Sequence, residues 1–355
     1  MMGCGSPSDV GLQRWQSIAC TPPTQDTVMI GNERFPARTL PHSSEIAGGQ
    51  PMSTGAGLLR FDGVLRRRAR LAARMGRSAV TPSMYPTSSI ARAFWFDGIA
   101  NFGDGLTPWL LQRAGVIPVH SKAGAADLVG VGSILEMLPS EFAGYVWGAG
   151  SLHGQPLALP EAQFLAVRGE LTRELVDAPG DPALGDPGIL VSHFLPRPPL
   201  RWRVGIVPHH FHEDDTLWDR LAIAAGPAVR VIDVRRGPTA VLRDIARCAA
   251  IVSTSLHGLI TADAYGIPAV WTRRAPDLWG GRFKFDDYES VLTPGRTRMV
   301  DVDDDVDLDA IVRFADTVDA QTVQQRQRGL LRALATADLP RLNPLTAPAH
   351  VLSRR

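Results

Sequence analysis

Between residues 204 and 272 the chain alternates short apolar runs with amphipathic stretches, and this order constrains the fold more than any other feature. Residues 204–207, 229–234, 249–253 and 268–272 read as strands, and 214–225, 238–248 and 257–265 as helices between them. Strands separated by a helix cannot pair as hairpins. They pair in parallel, and right-handed crossovers then cover the sheet with helices. Four strands joined by three crossovers predict a Rossmann-like half.

A less regular version of the pattern lies upstream. Phe94-Trp95-Phe96 is an apolar run ending at Asp97-Gly98, residues 106–113 have helical periodicity, and Gly115 stops them. Residues 128–131 and 145–147 run into glycine turns, 164–167 reads as a strand, and 168–176 as the helix after it. Pro196-Arg197-Pro198-Pro199 separates the two patterns and marks a domain boundary. The expected organisation is an extension over 1–90, a first Rossmann-like domain over 91–197, a second over 198–319, and a C-terminal helix (320–335) and tail over 320–355. Two α/β halves facing each other make a GT-B-like arrangement with the active site in the cleft.

Charge and composition exclude several function classes. Lys+Arg is 37 and Asp+Glu 36, a net charge of +1, which lacks the basic excess of a nucleic-acid binder. The three cysteines, Cys4, Cys20 and Cys248, are far apart and lack metal spacing. No run approaches a membrane span, and the first twenty residues lack a secretory pattern, so a cytoplasmic location is expected. Residues 1–90 are rich in Ser, Pro, Gly and Thr and read as loop or disorder, except for an arginine-rich stretch over 59–77. That stretch fits a basic helix at an anionic membrane surface, and equally a solvated arm. Lysine occurs only at 122 and 284.

Two segments carry chemistry. In Ile251-Val252-Ser253-Thr254-Ser255-Leu256-His257-Gly258 an apolar strand passes through small hydroxyl residues into a helix. A helix N-terminus at a strand's carboxyl end offers N–H groups to an anion. Gly258 permits close approach, and His257 can contact phosphate or transfer a proton. A helix cap at Ser255 and a surface imidazole explain the same residues without function. In Asn101-Phe102-Gly103-Asp104-Gly105-Leu106, Asp104 is either the helix N-cap or a group that holds or deprotonates a substrate hydroxyl.

Asn101-Phe102-Gly103-Asp104, Leu165-Ala166-Val167-Arg168-Gly169-Glu170, Gly185-Asp186-Pro187-Gly188 and Ser255-Leu256-His257-Gly258, in this order, resemble the polysaccharide pyruvyl transferase family. The stretches 205–210 and 283–288 resemble more narrowly its exopolysaccharide ketal-pyruvate members, and the likeness covers about residues 93–295. One departure is Gly130-Val131-Gly132-Ser133, where the family often carries a longer glycine run. The resemblance implies phosphoenolpyruvate as donor, a sugar with two nearby hydroxyls as acceptor, a cyclic pyruvate ketal as product, and no cofactor or metal. It implies a donor site of Arg168, Leu256, His257, Gly258 and Lys284, and an acceptor side of Asn101, Asp104, His209 and His210. His257 is then the expected acid and Asp104 the expected base, or the reverse. His153 and His193 read as structural, and the acidic run 301–305 as a solvated loop. A membrane-linked acceptor would place the enzyme at the inner face of the cell membrane. Two other classes fit the same fold: a nucleotide-sugar glycosyltransferase and a non-catalytic saccharide- or phosphate-binding protein.

Overall fold

The computed structural model describes residues 89–340, together with the backbone of 27–30 and 33–36. The expectations for the rest of 1–90, including the arginine-rich stretch 59–77, and for 341–355 lie outside the described residues. Strands β1 (Thr27–Ile30) and β2 (Glu33–Pro36) form an antiparallel hairpin.

Residues 89–340 hold two wholly parallel sheets. The first contains β3 (Ser89–Phe94), β4 (Val116–His120), β5 (Leu128–Val129), β6 (Tyr145–Trp147), β7 (Gln163–Val167) and β8 (Ala183–Leu184), in the order β4-β3-β5-β6-β7-β8. The second contains β9 (Trp202–Val207), β10 (Val229–Val231), β11 (Cys248–Ser253), β12 (Ala269–Arg273) and β13 (Met299–Asp301), in the order β10-β9-β11-β12-β13. The helices are α1 (Leu106–Arg113), α2 (Glu170–Leu175), α3 (Val191–Phe194), α4 (Thr216–Ala225), α5 (Pro238–Ala246), α6 (Leu256–Ala264), α7 (Phe283–Leu292), α8 (Leu308–Val312) and α9 (Ala320–Ala335).

The alternation read over 204–272 is present, with a fifth strand, β13, at the sheet edge. The first sheet departs more. The strand expected at 94–96 begins at Ser89 and ends at Phe94, so it crosses the boundary expected at 90/91. Residues 128–131 give only Leu128–Val129, because the chain turns at Gly130. β4 and β8 were not read from the sequence, nor was α7, whose Phe283-Lys284-Phe285 start alternates like a strand.

Among the described residues, three apolar clusters form the core of 89–340. One lies on the first sheet around Val146 and Phe142, and one on the second around Val252 and Trp218. The largest joins residues of both halves, including Phe102, Leu106, Trp147, Ile189, Val234, Leu259 and Tyr288. Helix α9 follows the second sheet but packs on β6, β7 and β8 of the first. There Trp147 donates to the Leu330 carbonyl at 2.9 Å, and the Gln327 amide donates to Ile189 O at 2.8 Å.

Candidate functional site

The carboxyl end of β11 sets the site. Ser253 folds the exit of the strand over itself: its hydroxyl donates to Ser255 O and accepts from Ser255 N–H. Ser255 is the N-cap of α6 but makes no side-chain cap bond, so the capping role expected of it does not hold. His257 is the second residue of the helix. Its ring is buried, with edge-on contact to Phe102 at 6.3 Å between centroids. A Cβ on Gly103 would stand 2.1 Å from His257 Nδ1, so the absence of a side chain at 103 is what lets the first-half loop cover the imidazole.

Asp104 is not the N-cap of α1. That position is Gly105, which makes no side-chain cap bond, and the Asp104 carboxylate instead accepts from the Asn101 amide at 3.1 Å. The Asn101 carbonyl in turn accepts from Gly103 N–H at 3.2 Å, which holds the loop closed. Desolvation pushes the Asp104 pKa up to about 7, against the opposing effects of the Asn101 hydrogen bond and the Lys284 charge. Lys284 is not a solvated loop charge. It sits in the first turn of α7, only 7% exposed, and burial followed by repulsion from Arg168 pulls its pKa down to about 8, with Asp104 opposing.

Histidines supply the rest. His209 and His210 follow β9, with ring centroids 4.1 Å apart. Burial and then the Lys284 charge depress both, His210 to about 4 and His209 further. His257 falls to about 3 for the same two reasons, with Arg168 adding to the effect. His212 was not singled out in the sequence. The Thr254 hydroxyl accepts from His209 N–H at 2.7 Å and stands 3.1 Å from His212 Nδ1. His212 Nε2 stands 2.8 Å from the Pro276 carbonyl and donates to it, which places a proton on Nε2. Its role is to tie the histidine run to the loop after β12.

Arg168 is spent differently from the expectation. It leaves β7 fully buried, and Nε donates to Asp287 at 2.8 Å. Nη2 donates to Ser151 O at 2.6 Å, and Nη1 donates to the Ser133 hydroxyl. Asp287 also accepts from Thr172 N–H and the Thr172 hydroxyl, both at 2.7 Å. The guanidinium therefore ties the first sheet to α7, and its charge reaches the site at a distance through Lys284 and His257. Removing it strands a buried carboxylate. Arg168→Ala should destabilise the fold by about 3–5 kcal/mol, seen as a lower midpoint in urea unfolding at unchanged slope.

The sequence also hid Asp186. It is fully buried at the turn after β8, and Oδ1 accepts from Gly188 N–H at 2.7 Å. Its Oδ2 has no hydrogen-bond partner and faces His257 Nε2, also unpartnered, at 3.9 Å. Desolvation raises Asp186 to about 7. Read alone, Gly185-Asp186-Pro187-Gly188 signals only a turn; the tertiary fold aims the spare oxygen at the imidazole.

Of the expected site residues, His257, Asp104, Asn101, Lys284, His209 and His210 lie together, with Leu256 and Gly258 flanking His257 on α6. Arg168 lies behind them in its own ion pair.

The succinoglycan biosynthesis protein ExoV of Rhizobium meliloti is 31% identical over 210 residues, 56% of this chain and 64% of that protein. The uncharacterized protein L143 of Acanthamoeba polyphaga mimivirus is 35% identical over 114 residues, 31% of this chain and 39% of that protein. Both matches thus span less than two thirds of the relative's length. A solved structure of a functionally uncharacterized Klebsiella pneumoniae protein aligns at 12% identity with a TM-score of 0.37, over 70% of this chain and 100% of that one, too distant to carry an argument. Residues 87–275 match the sequence profile of the polysaccharide pyruvyl transferases, and with more than half its length in that match the chain belongs to the polysaccharide pyruvyl transferase family.

Proposed function

We propose that this chain transfers the enolpyruvyl group of phosphoenolpyruvate onto two hydroxyls of a sugar, forming a cyclic ketal and releasing phosphate. The observation that carries the reading is the company Lys284 keeps. One lysine and three imidazoles, His209, His210 and His257, share a mostly buried volume, and each is held below its ordinary basicity by desolvation and by its neighbours. A buried lysine beside imidazoles that are neutral in the free protein, and that gain basicity when an anion arrives, is complementary to a small molecule with several negative charges. Phosphoenolpyruvate carries a phosphate and a carboxylate two bonds apart.

The chemistry can be followed by atom. A proton is added to the methylene carbon, which becomes the methyl group. One sugar hydroxyl attacks the adjacent carbon and loses its proton. The bond from that carbon to the phosphate oxygen breaks, and phosphate leaves. The second hydroxyl then closes the ketal and releases the other proton. Bound anionic charge raises the pKa of a neighbouring imidazole, so His257 takes up a proton as the donor arrives and delivers it to carbon. Asp104, with a pKa near 7 and on the other half of the molecule, takes the proton of the attacking hydroxyl.

Asp186 is a positioning residue in this scheme. Its spare oxygen faces the imidazole and stabilises the imidazolium once it forms. Asp186→Asn keeps an oxygen for Gly188 N–H but removes the charge. It should lower kcat by about 10–100-fold, with the alkaline limb of the kcat–pH profile, where the imidazolium loses its proton, moved to lower pH. An unchanged profile would assign Asp186 to folding alone.

The reaction itself is tested by phosphate release from phosphoenolpyruvate with a panel of galactosides, glucosides and mannosides, and nucleotide sugars as the control donors. Release of phosphate dependent on both phosphoenolpyruvate and a sugar is the expected result. Turnover of a nucleotide sugar instead would replace the reading with glycosyl transfer. The membrane contact proposed for 59–77 is tested by binding to anionic vesicles. Among the described residues no helix is long and apolar enough to cross a membrane.

A further inference from the structure

The loop between β12 and α7 carries Trp279, a large apolar side chain 45% exposed. Its ring packs edge-on against Phe211, with centroids 4.8 Å apart. Phe211 packs in turn against His210 at 4.3 Å and His209 at 5.0 Å. One continuous aromatic ledge therefore leads from the imidazoles of the candidate site to an exposed indole.

The position of this indole is fixed from both halves. Gly280, at φ +72°, presses on the Leu152 carbonyl: a Cβ there would stand 2.0 Å from that oxygen. Gly154, next to that segment, is covered by the Phe283 ring. The loop of the second half is thus seated on residues 152–154 of the first, and Trp279 stands at the seam. Pro276 in the same loop accepts from His212, which ties the loop back to the histidine run.

An exposed tryptophan held at a seam beside polar catalytic groups suits one kind of ligand. The indole face is large, rigid and electron-rich, and it attracts the weakly positive C–H faces of a ring that is polar at its edge. A pyranose has this shape: hydroxyls around the rim and C–H groups on its faces. A nucleotide base would also stack, but Arg273, Arg274 and Arg282 around this loop are already paired with Asp301, Asp215 with Asp304, and Asp286 respectively, which leaves them committed rather than aimed at a diphosphate.

We propose that Trp279, backed by Phe211, is a sugar-binding subsite for the acceptor residue next to the one that is pyruvylated. The proposal rests on the transferase reading for its direction but not for its test. Two ring contacts, 4.8 and 4.3 Å between centroids, link the indole through Phe211 to His210. The reacting sugar occupies the space by the imidazoles, and its neighbour in the glycan stacks on Trp279. The acceptor is then at least a disaccharide, and the subsite selects for chain length.

The test is calorimetric titration of the full chain with glucose, galactose, cellobiose, lactose and maltose. At least one disaccharide should bind more tightly than its monosaccharides. Trp279→Ala should weaken that disaccharide about tenfold, and Trp279→Phe should recover most of the loss. No preference for any disaccharide, or a preference that survives Trp279→Ala, overturns the subsite. A chain that binds a disaccharide through Trp279 but releases no phosphate from phosphoenolpyruvate supports the subsite and sinks the transferase reading.

Discussion

His257→Ala should lower kcat by about 10²–10⁴-fold while leaving the urea midpoint close to that of the intact chain. β11 ends in Ser253, whose hydroxyl holds both the N–H and the carbonyl of Ser255, so the start of α6 has no freedom to swing. The imidazole is then covered from the first half by Gly103 and backed by Asp186. An imidazole so placed is neutral in the free protein, since its pKa is near 3. Burying a neutral ring with an unpartnered Nε2 contributes little stability, and removing it leaves no stranded charge. Losing it removes the proton that the methylene carbon needs. Gly103→Ala gives a second arm that keeps the imidazole: the new methyl group must push the ring aside, and kcat should fall by about 10²-fold. Near wild-type kcat in His257→Ala would require another acid, and the mechanism proposed above would fall.

How far the sequence led can be judged from these same residues. The second sheet is legible because β9, β11 and β12 run for five or six residues and helical periods separate its strands, as after Val204-Gly205-Ile206-Val207. The first was harder. β5 and β8 are two residues each, and no periodicity can show in so short a run. α7 begins Phe283-Lys284-Phe285, which reads with a period of two until the packing of Phe285 on Trp271 and of Tyr288 in the core shows a helical face. The candidate site residues come from motif likeness, but their states do not. Nothing local distinguishes Lys284, which is buried and weakly basic, from a surface lysine. Nothing local shows that Arg168 meets Asp287 across 119 positions, or that Asp186 faces His257. Those are long-range contacts, set where the two sheets meet.

Lys284→Met should stabilise the protein and nearly abolish donor binding, and these opposite signs identify a residue kept for function. Lys284 has a folded pKa of about 8 against an ordinary value of 10.5. A base whose pKa is depressed on folding releases its proton more readily in the native state. The native state is therefore penalised most below pH 8, and the penalty fades as the pH rises toward 10.5. Methionine fills a similar volume without charge, so the gain should be about 1–3 kcal/mol near pH 7 and should vanish above pH 10. Asp104 trims the gain, because it loses the ammonium that favours its ionised form. Donor affinity should move the other way. A charge-assisted contact to a phosphate or carboxylate in a desolvated site is lost, and the dissociation constant for phosphoenolpyruvate should rise by about 10²–10³-fold. The intact chain should also bind phosphoenolpyruvate more weakly as the pH passes above about 8, where Lys284 sheds its proton, and this step should be missing in Lys284→Met. Thermal unfolding between pH 6 and 10, with and without phosphoenolpyruvate, measures both halves of the prediction. A destabilised Lys284→Met variant that still binds the donor would make Lys284 a structural partner of Asp104 and move the anion site elsewhere.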